Sequence, residues 1–316
     1  IFFTPGGEEP RGVTDLLRWQ FGGGKIDWPK AVAAADFVTT KPEPRVEGSR
    51  LVVTMVGHAT LLIQTAGLNI LTDPVWSERA SPVSFAGPKR NNPPGVAFDD
   101  LPPIDIVIVT HNHYDHLDIA TLKRLIERDR PRLVTPLGND TIIRSDVPDI
   151  EADVMDWGDS IEANNSVTIH CEPCHHWSAR GMGDRRMALW AAFVIETPGG
   201  KIYHIGDTGY ADGQHYREVR EKHGDIRVAI MPIGAYEPRW FMKAQHQNPE
   251  EAISGFGLSG AAFGIGHHFG TFQLTNEGID DPPKALVTAM SAAGIGNERF
   301  KGLRPGQQFE VPLTNA

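Results

Sequence analysis

The 316 residues read as an α/β fold built in two halves that share one site. Three observations carry this reading. Ile104, Ile106, Val107, Ile108 and Val109 form a run rich in β-branched residues, the pattern of a strand buried on both faces. The run gives way to His111, His113, Asp115 and His116, and a helix follows: Asp118 is its N-cap, Ile119, Leu122, Leu125 and Ile126 its apolar stripe, and Pro131 comes just after its end. Strands and helices alternate in this way both before and after about residue 165, and both halves place polar residues at strand ends.

Taken in order, residues 1–50 are rich in Gly, Pro and charge, with an amphipathic piece around Leu16–Phe21, and read as an arm packed on a domain of residues 51–316. Leu51–Gln64 holds two apolar runs separated by Gly57-His58-Ala59-Thr60, a hairpin-like pair of strands in which His58 reads as structural. Asn69–Trp76 is a further strand, with Asp73-Pro74 near its end. Ser77–Pro103 is irregular and Pro-rich, either a substrate rim or a plain surface connection. Strands are expected at Arg132–Pro136, Val154–Asp159 and Val167–His170, and Met187–Glu196 pairs with Lys201–Ile205 across the turn Thr197-Pro198-Gly199-Gly200. Arg227–Ile233 and Ala261–Gly266 complete the core strands. Asn248-Pro249-Glu250-Glu251 has the residues of a capping box with Pro at the first helical position.

Composition narrows the function. Forty acidic residues against thirty Lys and Arg give a net charge of −10, which argues against nucleic acid as a partner. No apolar run approaches the roughly 18 residues of a membrane span. The opening Ile-Phe-Phe-Thr-Pro-Gly-Gly lacks the basic and apolar regions of a signal peptide, so a cytoplasmic or peripheral-membrane location is expected. The two cysteines, Cys171 and Cys174, make half a zinc site at most and read as free thiols near the site.

The chemistry gathers at strand ends. Three imidazoles and a carboxylate within six residues are costly to bury unpaired, and a divalent cation removes the conflict, because these donors suit Zn²⁺. Their separations of two, two and one exclude a single helical face, so a loop presents them, able to serve two neighbouring metal positions. Asp207, at a strand end among glycines, reads as a turn residue or a bridging carboxylate, and its location favours the ligand. His175 and His176 compete for one role, as do His267 and His268; adjacent strand residues face opposite ways, so one of each pair should reach the site. His246 precedes a helix N-terminus that favours anions, and is a candidate for phosphate binding or proton handling. Trp240, Phe241 and Met242 are either core or the lining of an acyl-chain pocket.

His111-x-His113-x-Asp115-His116 resembles the signature of the metallo-β-lactamase fold hydrolases, and its flanking residues resemble the N-acyl-phosphatidylethanolamine-hydrolysing phospholipases D and their bacterial relatives. The likeness covers about residues 50–305. It implies an αββα sandwich with a shared edge site. A His followed by Trp selects His176, and a His followed by Phe-Gly-Thr-Phe selects His268. The implied set is His111, His113 and His176 around one zinc ion and Asp115, His116 and His268 around another, with Asp207 bridging. Asp73 would orient a metal-bound imidazole, its other reading being a turn residue before proline. Asp115 and His246 are the catalytic candidates, and Tyr114, Gln245, Trp240 and Phe241 the substrate-binding ones. The implied reaction is hydrolysis of N-acyl-phosphatidylethanolamine to an N-acylethanolamine and phosphatidic acid, with a phospholipid partner, peripheral membrane contact and a homodimer as an association to test. A lactone or cyclic phosphodiester is the alternative substrate. An iron oxidoreductase or a non-catalytic metal scaffold is more distant, since an oxygen-reducing diiron relative would carry Glu where His113 stands.

Overall fold

The computed structural model describes residues 1–30, 38–181 and 183–314. One sheet contains β1 (Leu51–Gly57), β2 (Thr60–Thr65), β3 (Leu68–Thr72), β4 (Ile106–Ile108), β5 (Arg132–Pro136) and β6 (Ala152–Met155). The other contains β7 (Ser160–Asn164), β8 (Val167–Glu172), β9 (Ala192–Thr197), β10 (Gly200–Ile205), β11 (Ile226–Pro232), β12 (Phe263–His267) and β13 (Phe300–Gly302). A last strand, β14 (Gln308–Glu310), returns to pair with β1, giving the orders β14-β1-β2-β3-β4-β5-β6 and β13-β12-β11-β10-β9-β8-β7. The helices are α1 (Val13–Phe21), α2 (Ile119–Asp129), α3 (Asn139–Asp146), α4 (Gln214–His223), α5 (Arg239–Met242), α6 (Pro249–Ser259) and α7 (Asp281–Ala292).

The period-2 alternation of the strands separates three apolar layers. Val53 and Met55 of β1, Phe193 and Ile195 of β9 and Val228 and Ile230 of β11 point inward and meet between the sheets. The alternate residues point outward. Val194, Tyr203 and Met231 pack under Tyr216 and Val219 of α4, Phe256 of α6 and Leu286 of α7. Leu62, Leu71, Val107 and Leu133 pack under Leu122 and Leu125 of α2 and Ile143 of α3. The result is an αββα sandwich, as the resemblance implied.

Strand direction places the site. β1 and β3 are both antiparallel to β2 and therefore run the same way, and β4 is parallel to β3. β8 and β10 are both antiparallel to β9, and β11 and β12 run parallel to β10. The C-terminal ends of these strands meet at one edge of the sandwich, the place where open α/β sheets bind their ligands.

Several boundaries differ from the sequence reading. The strand expected at Asn69–Trp76 ends at Thr72, because Asp73 takes a left-handed conformation (φ 38°) and turns the chain out of the sheet. β6 lies earlier than Val154–Asp159, since Asp156–Asp159 forms a turn in which the Asp159 carboxylate accepts from Asp156 N. Ser77–Pro103 is not wholly a surface connection: Val96, Phe98 and Leu101 are buried beneath α2, while Phe85 is exposed. α1 occurs where the amphipathic piece was read, and Trp19 Nε1 donates to Asn276 Oδ1 at 2.9 Å. Residues 31–37 of the expected arm lie outside the described residues. Among the described residues no helix is long and apolar enough to cross a membrane.

At α6 the full capping box forms: Asn248 Oδ1 accepts from Glu251 N at 2.9 Å, and Glu251 Oε2 accepts from Asn248 N at 3.0 Å. Asn248→Ala should lower stability by about 1 kcal/mol, measured as a shift in the urea midpoint at unchanged slope.

Candidate metal centre

Each of the seven expected ligands follows a strand of common direction. His111, His113, Asp115 and His116 follow β4, His176 follows β8, Asp207 follows β10, and His268 follows β12. Gly206 permits the approach of β10 to this loop, because a Cβ there would lie 2.4 Å from Thr110 Oγ1. Arg180 holds the loop from outside: its Nη1 donates to Asn112 O at 3.0 Å and Leu117 O at 2.8 Å.

Hydrogen bonds on the outer side of each ring decide which nitrogen faces inward. Asp73 Oδ1 accepts from Thr110 N at 2.7 Å, and its Oδ2 accepts from Thr110 Oγ1 and His116 Nδ1, both at 2.8 Å. With its hydroxyl proton given to Asp73, Thr110 Oγ1 accepts from His111 Nδ1 at 3.0 Å. His176 Nδ1 donates to Gln245 O at 3.0 Å. The Nε2 atoms of His111 and His176 thus carry lone pairs, and His116, its Nδ1 held on Asp73, turns Nε2 to the same centre. His111 Nε2 and His176 Nε2 lie 2.9 and 3.2 Å from His113 Nδ1, which has one proton at most to share. Asp207 Oδ2 lies 3.3, 3.7 and 4.0 Å from the Nε2 atoms of His116, His176 and His111, while Oδ1 lies 3.1 Å from His268 Nε2. Asp115 Oδ2 lies 3.2 Å from His268 Nε2 and 3.5 Å from His116 Nε2.

This crowds buried lone pairs and carboxylates together, an arrangement able to hold a cation. Burial holds His111 and His176 well below the ordinary imidazole pKa and pulls His113 down to about 4. Burial also opposes charge on His116 and His268, yet the facing carboxylates outweigh it. Asp207, Asp115 and Asp73 raise His116 well above its ordinary value, and Asp207 with Asp115 pushes His268 up to about 9. Asp115 and Asp207 are held well below the carboxylate range, because the neighbouring imidazoles outweigh their burial. The carboxylates draw positive charge inward, and neutral imidazoles with inward lone pairs are donors for a metal ion. His111, His113 and His176 form one such group, and His58, Asp115, His116 and His268 another.

The ambiguous pairs separate cleanly in space. His175 packs on His215, its ring 5.0 Å away, and His267 Nε2 donates to Ile205 O at 2.7 Å. His246 joins the centre, Nδ1 being 3.9 Å from Asp207 Oδ2, and burial pulls it down to about 4. Its carbonyl accepts from Arg239 Nη1 at 2.8 Å, and Arg239 Nη2 donates to Glu251 of the capping box, so α6 helps to place this ring.

The substrate-binding candidates make other contacts. Gln245 is buried and acts through its carbonyl on His176, while its side chain donates to Glu8 O at 3.0 Å. Tyr114 gives its hydroxyl to Arg180 O at 2.9 Å and lines a cleft of about 340 Å³ with Ser77–Arg79 and Asp118. Trp240 and Phe241 pack away from the core and toward α1: Trp240 is half-exposed under the Arg18 guanidinium, and Phe241 stacks on Trp19 at 5.0 Å. Met242 is core. Cys171 and Cys174 are free but buried, and burial raises both thiols far above the range in which they react.

His58, read from sequence as structural, lies beside the cluster. Its Nε2 donates to Asp115 Oδ2 at 2.9 Å, within the centre. The available signal was its place directly after the first strand of the common direction.

The family description that matches is the β-lactamase superfamily domain, over residues 68–269. The chain belongs to the metallo-β-lactamase superfamily. Superfamily relatives include N-acyl-phosphatidylethanolamine-hydrolyzing phospholipase D 1 of Caenorhabditis elegans, 39% identical over 255 residues, 77% of this chain and 71% of that one. A second is N-acyl-phosphatidylethanolamine-hydrolyzing phospholipase D, mitochondrial, of Saccharomyces cerevisiae, 33% identical over 76% of this chain and 52% of that one. In fold, the chain is similar to a metallo hydrolase of Ignicoccus hospitalis, with a TM-score of 0.60 at 20% identity over 83% of this chain and 100% of the other. As a member of this superfamily the protein is a metal-dependent hydrolase with a His/Asp cluster able to hold metal ions.

His176→Ala and His268→Ala should each lose bound metal and most activity, whereas His175→Ala and His267→Ala should retain it, as elemental analysis of the purified variants will report. His267→Ala should also be less stable, since it leaves the Ile205 carbonyl without its buried donor.

Proposed function

We propose that the centre holds two zinc ions and that the protein is a phosphodiesterase cleaving N-acyl-phosphatidylethanolamine. The observation that carries this is the Asp207 carboxylate, whose Oδ2 faces His111, His116 and His176 while Oδ1 faces His268. It stands between a set of His111, His113 and His176 and a set of Asp115, His116 and His268, the arrangement of a bridging ligand. The relatives named as hydrolysing this lipid support the substrate. Two zinc ions there would supply Lewis acidity toward phosphoryl oxygens and a water made acidic enough to attack near neutral pH.

In the reaction a water oxygen joins phosphorus and the bond from phosphorus to the ethanolamine oxygen breaks. That oxygen leaves with a proton, and the phosphatidic acid keeps both acyl chains. Asp115 would accept from that water and orient it. His246, uncharged near neutral pH, has one ring proton to offer a phosphoryl or leaving oxygen. Incubation with a panel of phospholipids and lactones, followed by mass identification of products, tests the substrate. The expected products are an N-acylethanolamine and a diacyl phosphatidic acid, from protein carrying about two zinc ions per chain. Rapid lactone turnover without phospholipid cleavage overturns the lipid assignment, and a single redox-active iron overturns the zinc assignment.

A lipid substrate also gives α1 a use. Trp19 and Phe241 dock the helix, while Val13, Leu17 and Phe21, spaced four residues apart on the other side, are exposed together with Trp240. Such a stripe suits contact with a bilayer surface. Leu17→Glu with Phe21→Glu should reduce co-sedimentation with phosphatidylcholine vesicles and slow turnover of vesicle-borne lipid, leaving a water-soluble phosphodiester unaffected. Equal losses on both substrates would point to a folding role instead.

A further inference from the structure

We propose that His58 is a positioning residue of the metal centre, holding Asp115 and His268 in place without ligating metal itself. The inference rests on the reading that Asp115, His116 and His268 hold a metal ion. His58 is the first residue after β1 and adopts a left-handed conformation (φ 58°), which a side chain without functional or packing constraint would avoid. Its main chain is tied at both ends to the segment that carries His268. His58 N donates to Thr271 Oγ1 at 3.1 Å, and its carbonyl accepts from His268 N at 2.9 Å.

The ring is equally constrained. Nε2 lies 2.9 Å from Asp115 Oδ2, and because the carboxylate only accepts, Nε2 carries the proton. One face of the ring lies against His268, centroids 4.0 Å apart, and the edge of Phe272 meets it at 5.3 Å. Phe272 lies in turn under the Arg90 guanidinium at 5.1 Å, and Arg90 Nη2 donates to Val75 O at 2.6 Å. Two of the three ligands of one metal position therefore depend on this residue, one through its ring proton and one through its carbonyl.

Reach separates positioning from ligation. His116 and His268 turn Nε2 to both Asp115 and Asp207, whereas among the described residues His58 Nε2 meets Asp115 alone of the carboxylates. Gln places an amide N–H close to where Nε2 stands but has no imidazole lone pair. Zinc should be measured by chelator competition in the unchanged protein, in His58→Ala and in His58→Gln, with the urea midpoint of each metal-free form. His58→Ala should weaken one of the two zinc sites by about 10- to 100-fold, the usual cost of losing a partner behind a ligand. His58→Gln should recover most of that loss. Cobalt substituted for zinc should show an altered visible spectrum in the Ala variant and a near-native one in the Gln variant.

Three outcomes overturn the inference. Loss of zinc from Gln as complete as from Ala would make His58 a ligand. Unchanged affinity in Ala, with only the metal-free urea midpoint lowered, would make it structural. Fewer than two zinc ions in the unchanged protein would instead remove the reading on which the inference rests, a failure visible before either variant is compared.

Discussion

The structure depends on a set of buried acceptors that cannot satisfy one another. The imidazoles of His111, His113, His116 and His176 crowd against the Asp115 and Asp207 carboxylates, and His111 and His176 present lone pairs inward because an outer hydrogen bond has fixed their protons. In a medium of low dielectric, such a gathering is costly until positive charge joins it. The raised pKa values of His116 and His268 express that demand, since protons are drawn to where a cation belongs. The rest of the fold keeps these groups from relaxing apart.

The sandwich does this through strand direction. Two mixed sheets place the C-terminal ends of β1, β3, β4, β8, β10, β11 and β12 along a common edge, and each end delivers a site residue or its support. The chain often leaves its strand through strained backbone. His58, Asp73 and His268 all have positive φ, with no glycine to make the conformation easy. Asp73 turns the chain out of β3 and accepts three hydrogen bonds there, which fix His116 directly and His111 through Thr110. Strain at these positions persists because the surrounding hydrogen bonds over-determine them.

Support for the centre also reaches beyond the sandwich. The capping box of α6 holds Arg239, which holds the carbonyl of His246. Residues near the start of the chain hold Gln245, whose carbonyl orients His176. A helix-start signal in sequence therefore contributes to the placement of a histidine beside the cluster, and damage to either support should be felt at His246 or His176.

The sequence by itself determined the elements with dense local signals. Ile106–Ile108 is a strand because β-branched residues crowd a short run, α2 is a helix because Asp118 caps an apolar stripe, and the cluster after β4 is able to hold metal because three imidazoles and a carboxylate fall within six residues. Elements without such signals escaped the reading. α3 and α4 begin behind glycines with no side-chain cap, and β14 is three residues long and exists only because β1 lies beside it. Only tertiary structure decided that His58, more than fifty residues before Asp115, bonds to it, that Gln245 acts through its carbonyl, and that Trp240 and Phe241 meet α1. Periodicity and capping report on neighbours within a turn or a strand. Which strand ends meet at one edge is settled by sheet order and direction, and those follow from burying three apolar layers at once.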